Sequence, residues 1–148
     1  MFGPPFRRLV TLPIGMARMT AAVASVFAPN PPPTNFIEAT RLPLVLRPRH
    51  FRANCEDVAH AEGAVGALSL RYGWIRVPTE VVTGDADGVV DAQIHARGLA
   101  REIPDARLTT LEGVGHSPHH VAPERIAALI LEAQRRASQS EPAGSLIP

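Results

Sequence analysis

Only two short stretches of this 148-residue chain have the composition of β-strands, and this feature limits its fold more than any other. Residues 79–83 are rich in β-branched side chains and stop at Gly84, and residues 107–111 form a second candidate strand. Between them, residues 91–103 place apolar side chains on one helical face, and Pro123 opens a further amphipathic helix. This alternation predicts an α/β fold with two parallel strands joined by a right-handed crossover.

Two strands do not make a complete parallel sheet. Parallel sheets are normally covered on both faces, and an isolated pair leaves both of its outer edges unpaired. Residues 75–137 are therefore interpreted as the carboxyl-terminal end of a larger sheet with its flanking helices, and residues 138–148 as a flexible tail. Glu80 is unusual in this setting, because strands buried on both faces are usually apolar throughout.

Residues 1–74 differ in composition from the rest of the chain. They are rich in proline and include three consecutive prolines at residues 31–33. Helices are predicted here at residues 16–27, 35–42 and 49–72. The last of them is expected to break near Gly63 or Gly66, because a glycine inside a helix costs about 1 kcal/mol relative to alanine. Since nothing in this part has the alternating pattern of a sheet, it is interpreted as a helical cap or lid segment.

The composition excludes several classes of protein. With 15 basic and 14 acidic residues the formal charge is +1, which provides no field for attracting nucleic acid or an anionic membrane. The single cysteine, Cys55, forms neither an internal disulfide nor a metal cage. No apolar run approaches the roughly 18 residues of a membrane span. We expect a soluble, cytoplasmic protein without a cofactor.

The amino terminus leaves one alternative open, a secretory signal. Arg7 and Arg8 precede the apolar residues 9–16, and residues 22–24 resemble a small-residue cleavage site. Arg18 interrupts this pattern, because signal peptides avoid a charge within the apolar region. A plain amphipathic helix is the favoured interpretation, and a secreted binding module is the alternative.

The loops after the two strands carry the polar residues of interest. Ligands of open α/β sheets bind at the carboxyl ends of the strands, which here are followed by residues 84–90 and 113–120. If the strands pair, a carboxylate from the first loop lies beside a histidine from the second. Such a carboxylate accepts the imidazole N–H, fixes the tautomer and stabilises the imidazolium formed during proton transfer.

Several of these residues also suit a metal. His116, His119, His120 and Glu124 are of the types that bind zinc. Their spacing does not suit a zinc site, because Pro118 breaks any helix that would place His116 and His120 on one face. No metal site is predicted, and His119 and His120 are expected to cap the final helix or to face solvent.

Residues 72–130 contain a distinctive set of motifs. These are Ile75-Arg76-Val77-Pro78, the Gly-x-x-Asp of residues 84–87, the following Val89-Val90, the Gly-x-Gly-His of residues 113–116 and Pro123-Glu124. With these motifs the segment resembles the carboxyl-terminal end of the α/β-hydrolases that include esterases, epoxide hydrolases and haloalkane dehalogenases. This resemblance implies that Asp87 is the triad acid and His116 the general base, in the family's chain order of nucleophile, acid and histidine. Asp85 lies too close to the strand end and is expected to bond to the backbone. Residues 27–71 are compatible with the family's helical lid.

The sequence departs from that family at the nucleophile. No Gly-x-Ser-x-Gly elbow occurs, and the His-Gly type of oxyanion loop is also missing. Ser117 directly adjoins His116, Cys55 and Asp57 lack elbow glycines, and the other serines lie in predicted helices or in the tail. Because losing a triad serine lowers turnover about a millionfold, the chain as it stands is expected to be inactive or truncated.

Two functions therefore remain open. The first is a hydrolase acting on an ester or related bond of a small apolar substrate, once an amino-terminal segment supplies the nucleophile. The second is a non-catalytic remnant that binds a partner, or a second copy of itself, through its open sheet edge.

Overall fold

The computed structural model describes residues 12–140, which divide into two compact units. One unit contains the described residues up to Phe27 together with Pro31–Leu70. The other contains Ala28–Asn30 and the residues from Arg71 onward. The basic start of the candidate signal, Arg7 and Arg8, lies outside the described residues, as does the predicted tail from residue 141.

The first unit is built from helices. These are α1 (Leu12–Phe27), α2 (Phe36–Ala39), a 3-10 helix (Leu42–Leu46) and α3 (Pro48–Ser69). Helix α1 buries Met19, Val23 and Phe27, whose four-residue spacing places them on one face. The Phe27 ring meets Phe36 edge to face, with 5.0 Å between the ring centroids.

Helix α3 runs for 22 residues without interruption, so the predicted break near Gly63 or Gly66 is wrong. Each glycine faces open space, and its modest helix penalty is outweighed by the hydrogen bonds of the long helix around it. No side chain of α3 is buried. Within residues 12–140, no helix combines the length and the apolar character needed to cross a membrane.

The second unit contains both strands. Its elements are a 3-10 helix (Tyr72–Trp74), β1 (Thr79–Gly84), α4 (Ala96–Glu102), β2 (Ala106–Leu111), α5 (Pro118–Val121) and α6 (Pro123–Ser140). Strands β1 and β2 are parallel, with a register that runs from Thr79 opposite Ala106 to Gly84 opposite Leu111. The predicted α/β class, with two parallel strands and flanking helices, is confirmed. Both strands end at the same level, so their following loops begin side by side.

Glu80, the charged residue within β1, has a partner on α6. The Arg136 guanidinium donates to Glu80 Oε1 at 2.7 Å, to the Asp105 carbonyl at 2.8 Å and to the Asp105 carboxylate. The Glu80 and Arg136 side chains are only 9% and 10% exposed. Burial alone would lower the pKa of Arg136, but the bonds to Asp105 and Glu80 raise it. This ionic cluster joins α6 to the amino-terminal part of β1 and to the residue preceding β2.

Several helix boundaries differ from the sequence prediction. In the first unit, α1 begins four residues before residue 16, α2 ends at Ala39 and not at residue 42, and α3 ends at Ser69 and not at residue 72.

The helices of the second unit differ as well. Helix α6 continues through Ser138 to Ser140, three residues assigned to the tail, and the Ser138 hydroxyl donates to the Gln134 carbonyl at 3.1 Å. Helix α4 begins only at Ala96, because the Asp91 carboxylate accepts the Gln93 N–H at 2.7 Å and forms a turn instead.

Candidate active site

The loops that follow β1 and β2 are bonded directly to each other. The backbone N–H groups of Asp85 and Ala86 donate to the carbonyls of Leu111 and Val114, each at 3.1 Å. The Asp85 carboxylate accepts the Gly113 N–H at 2.7 Å. Asp85 therefore bonds to the backbone, as its position close to the strand end predicts, and it holds the second loop against the first.

Gly84 allows this close approach. A Cβ atom at residue 84 would overlap the Val114 carbonyl group, with the carbonyl carbon only 2.5 Å away and the Gly115 carbonyl oxygen at 2.8 Å. Gly113 has a φ of 66°, in the left-handed region that glycine adopts at no steric cost. These two glycines let the backbone of the histidine loop pass over the end of β1.

Asp87 and His116 form a hydrogen-bonded pair at the carboxyl ends of the strands. His116 Nδ1 lies 3.0 Å from Asp87 Oδ2. The other carboxylate oxygen, Oδ1, accepts the N–H groups of Val89 at 2.8 Å and Val90 at 3.0 Å. The structure thus brings together the two residues that the sequence singles out, and the bonds to Val89 and Val90 fix the orientation of the carboxylate.

The surroundings of Asp87 favour its charged form. Its side chain is 9% exposed, and burial alone would raise its pKa, but the hydrogen bonds from Val90, His116 and Val89 outweigh burial and lower it.

Beside a carboxylate, His116 Nδ1 carries the proton and donates it. The other ring nitrogen, Nε2, is then an acceptor, and it has no hydrogen-bond partner within residues 12–140. The His116 side chain is 37% exposed, so Nε2 is available as a base.

Asn30 is a site residue that sequence reasoning missed. Its Oδ1 accepts the Gly115 N–H at 2.9 Å, and its Nδ2 donates to the Gly113 carbonyl at 3.0 Å. Asn30 lies 83 and 85 residues before these partners. It is flanked by prolines and belongs to no motif, so the sequence carries no signal for this contact.

The residue types that could bind zinc do not cluster in the described part of the chain. The described part of the chain contains no group of three or more histidine, cysteine or acidic residues that could hold a metal ion. His119 and His120 are exposed on the short helix α5, which begins at Pro118. Cys55 is exposed on α3.

No protein-family model matches this chain, and no curated protein matches it by sequence. Its structure is similar to that of MGS-M2, an α/β-hydrolase enzyme from a Medee basin deep-sea metagenome library. That match has a TM-score of 0.60 at 14% identity, and it covers 96% of this chain and 51% of the other. It is also similar to the candidate lipase lip1 from Acinetobacter baumannii AYE, with a TM-score of 0.58 at 19% identity, covering 85% and 47%. The chain spans about half the length of each structure. The fold implied by its sequence is thereby confirmed, and the described residues 12–140 have part of an α/β-hydrolase fold.

Proposed function

We propose that this chain supplies the acid and the base of an α/β-hydrolase-type enzyme that cleaves an ester or related bond in a small apolar substrate. The observation that carries the proposal is the 3.0 Å bond between Asp87 and His116, with Nε2 of His116 left as an acceptor. Structural relatives that include an α/β-hydrolase enzyme support the same class. The chosen substrate class rests on the apolar, proline-rich character of residues 1–74, to which we assign the role of a lid.

The geometry allows the proton transfers of acyl transfer. A nucleophile hydroxyl gives its proton to Nε2 of His116 while its oxygen attacks the substrate carbonyl, and the Asp87 carboxylate stabilises the resulting imidazolium. His116 then returns this proton to the leaving alcohol oxygen. A water molecule repeats the sequence on the acyl intermediate, so that ester and water become acid and alcohol.

The nucleophile is proposed to come from a polypeptide segment outside this sequence. The sequence contains no Gly-x-Ser-x-Gly elbow, and the chain spans only about half of its structural relatives. The outer edges of β1 and β2 have no partner strand within residues 12–140. Such a segment would pair with one of these edges and place its serine near Nε2.

A hydrolysis assay tests this function. We expect the purified chain to leave p-nitrophenyl acetate intact, and a polypeptide extended by the reading frame upstream of Met1 to cleave it. In the extended polypeptide, His116→Ala should lower kcat by about 10⁴-fold or more. His119→Ala, which removes an exposed histidine three residues away, is the matched control and should leave kcat unchanged. Full activity in His116→Ala would refute the proposal.

A second candidate function, binding of a partner without catalysis, is favoured by the exposed apolar side chains of the second unit. Trp74, Val77, Ile94 and Ile130 are 71%, 65%, 68% and 63% exposed. Self-association through these side chains and the open sheet edge would bury them. Light scattering of the purified chain should then give a dimer or larger species, whereas a monomer across the micromolar range would remove this candidate.

A further inference from the structure

The backbone just before His116 is held by hydrogen bonds from two other parts of the chain. Of the six backbone N–H and C=O groups of residues 113–115, four have hydrogen-bond partners within residues 12–140. Asp85 accepts from Gly113 N, Ala86 donates to the Val114 carbonyl, and Asn30 bonds to both the Gly113 carbonyl and Gly115 N. Half of these bonds therefore come from one side chain, that of Asn30.

The bonds of Asn30 require an amide. One partner is a backbone N–H and the other a backbone carbonyl, so only a side chain with an acceptor and a donor on the same planar group satisfies both. An aspartate has the same shape but no donor, and its second oxygen would face the Gly113 carbonyl. An alanine satisfies neither partner.

A loop with two glycines needs such external bonds. Gly113 and Gly115 have more backbone freedom than any other residue type would have, and together they set the position of the His116 Cα atom. We propose that Asn30 is a positioning residue that holds the His116 ring in hydrogen-bonding reach of Asp87. This inference rests on the role proposed for His116, and it extends that role to a residue of the segment Ala28–Asn30, which belongs to the second unit.

Nuclear magnetic resonance of the imidazole protons tests the inference without needing activity. With ¹⁵N-labelled histidine, the wild-type chain should show a His116 Nδ1–H resonance that is shifted downfield and exchanges slowly with solvent. It is assigned by its absence in His116→Gln. In Asn30→Ala, which loses two bonds, its exchange should accelerate about tenfold or more. Asn30→Asp should have a similar effect, and Asn54→Ala, which shortens an exposed asparagine of α3, should have none.

The outcomes separate this inference from the proposed function. A slow Nδ1–H resonance that is unchanged in both Asn30 variants would overturn the positioning role and leave the Asp87–His116 pair intact. Absence of the resonance in the wild-type chain would count against the pair itself. Backbone amide spectra of β1 and β2 report whether each variant folds. If both Asn30 variants fail to fold, Asn30 is a general structural residue and the inference is overturned.

Discussion

Helices α3 and α6 have similar lengths, 22 and 18 residues, but are stabilised in different ways. No side chain of α3 is buried, and its ion pair between Arg52 and Glu56 is exposed on both sides. Helix α6 buries Leu129 and bonds to β1 through the largely buried Arg136. Local hydrogen bonds therefore define α3, whereas tertiary contacts define α6 and the neighbouring loops. Matched substitutions in the two regions should have very different effects.

Glycine-to-alanine substitutions should show the largest contrast. Gly84→Ala places a Cβ against the Val114 carbonyl, and we expect it to lower the free energy of unfolding by about 3 kcal/mol or more. Gly63→Ala adds a Cβ in open space on α3 and should raise that free energy by up to about 1 kcal/mol. Urea denaturation followed by circular dichroism measures both. Equal effects would contradict the packing described at the end of β1.

Leucine truncation should give the next largest difference. Leu129 of α6 is 7% exposed, and Leu129→Ala should lower the free energy of unfolding by about 2–3 kcal/mol through lost burial and a residual cavity. Leu68 of α3 is 54% exposed, so Leu68→Ala should change it by less than about 0.5 kcal/mol. Thermal unfolding of the two variants alongside wild type provides the comparison. A large loss from Leu68→Ala would show that α3 is covered in solution.

The pH dependence of stability should give the smallest effect. Because the pKa of Asp87 is lowered in the folded chain, the unfolded chain binds its proton at higher pH than the folded chain does. The resulting stabilisation is present above the ordinary aspartate value of 3.8 and is lost as the pH falls through the folded value. The stability difference between wild type and Asp87→Asn should therefore shrink as the pH falls from 7 towards 2.

Asp57→Asn serves as the control for this titration, because Asp57 is an exposed carboxylate on α3. If Asp87→Asn behaves like Asp57→Asn, the hydrogen bonds from Val89, Val90 and His116 do not stabilise the charged carboxylate.

The elements around the site could be predicted because their signals are local. The β-branched residues before Gly84 and the pattern at residues 107–111 locate the strands within one residue of their observed bounds. Parallel pairing then brings their following loops together. Asp87 and His116 meet as expected because each lies a few residues beyond a strand end.

Other features of the fold and the site could not be predicted. They depend on contacts between residues far apart in the sequence, or on small differences in free energy. No spacing of residues in the sequence signals the contact of Asn30 with the histidine loop. Glu80 does not fit the apolar pattern of a buried strand, and the sequence does not show that Arg136 is its partner. At Gly63 and Gly66 the local penalty was real but too small to interrupt a helix of 22 residues.

The distance along the chain between Asn30 and its partners implies an order of assembly. The Asp87–His116 bond closes a loop of 29 residues, and the Asn30–Gly115 bond one of 85. The longer closure costs about 1 kcal/mol more in chain entropy, so during folding the strands and their carboxylate–imidazole contact are expected to form first. The amide of Asn30 then docks as a late step, after the loop it stabilises has already taken shape.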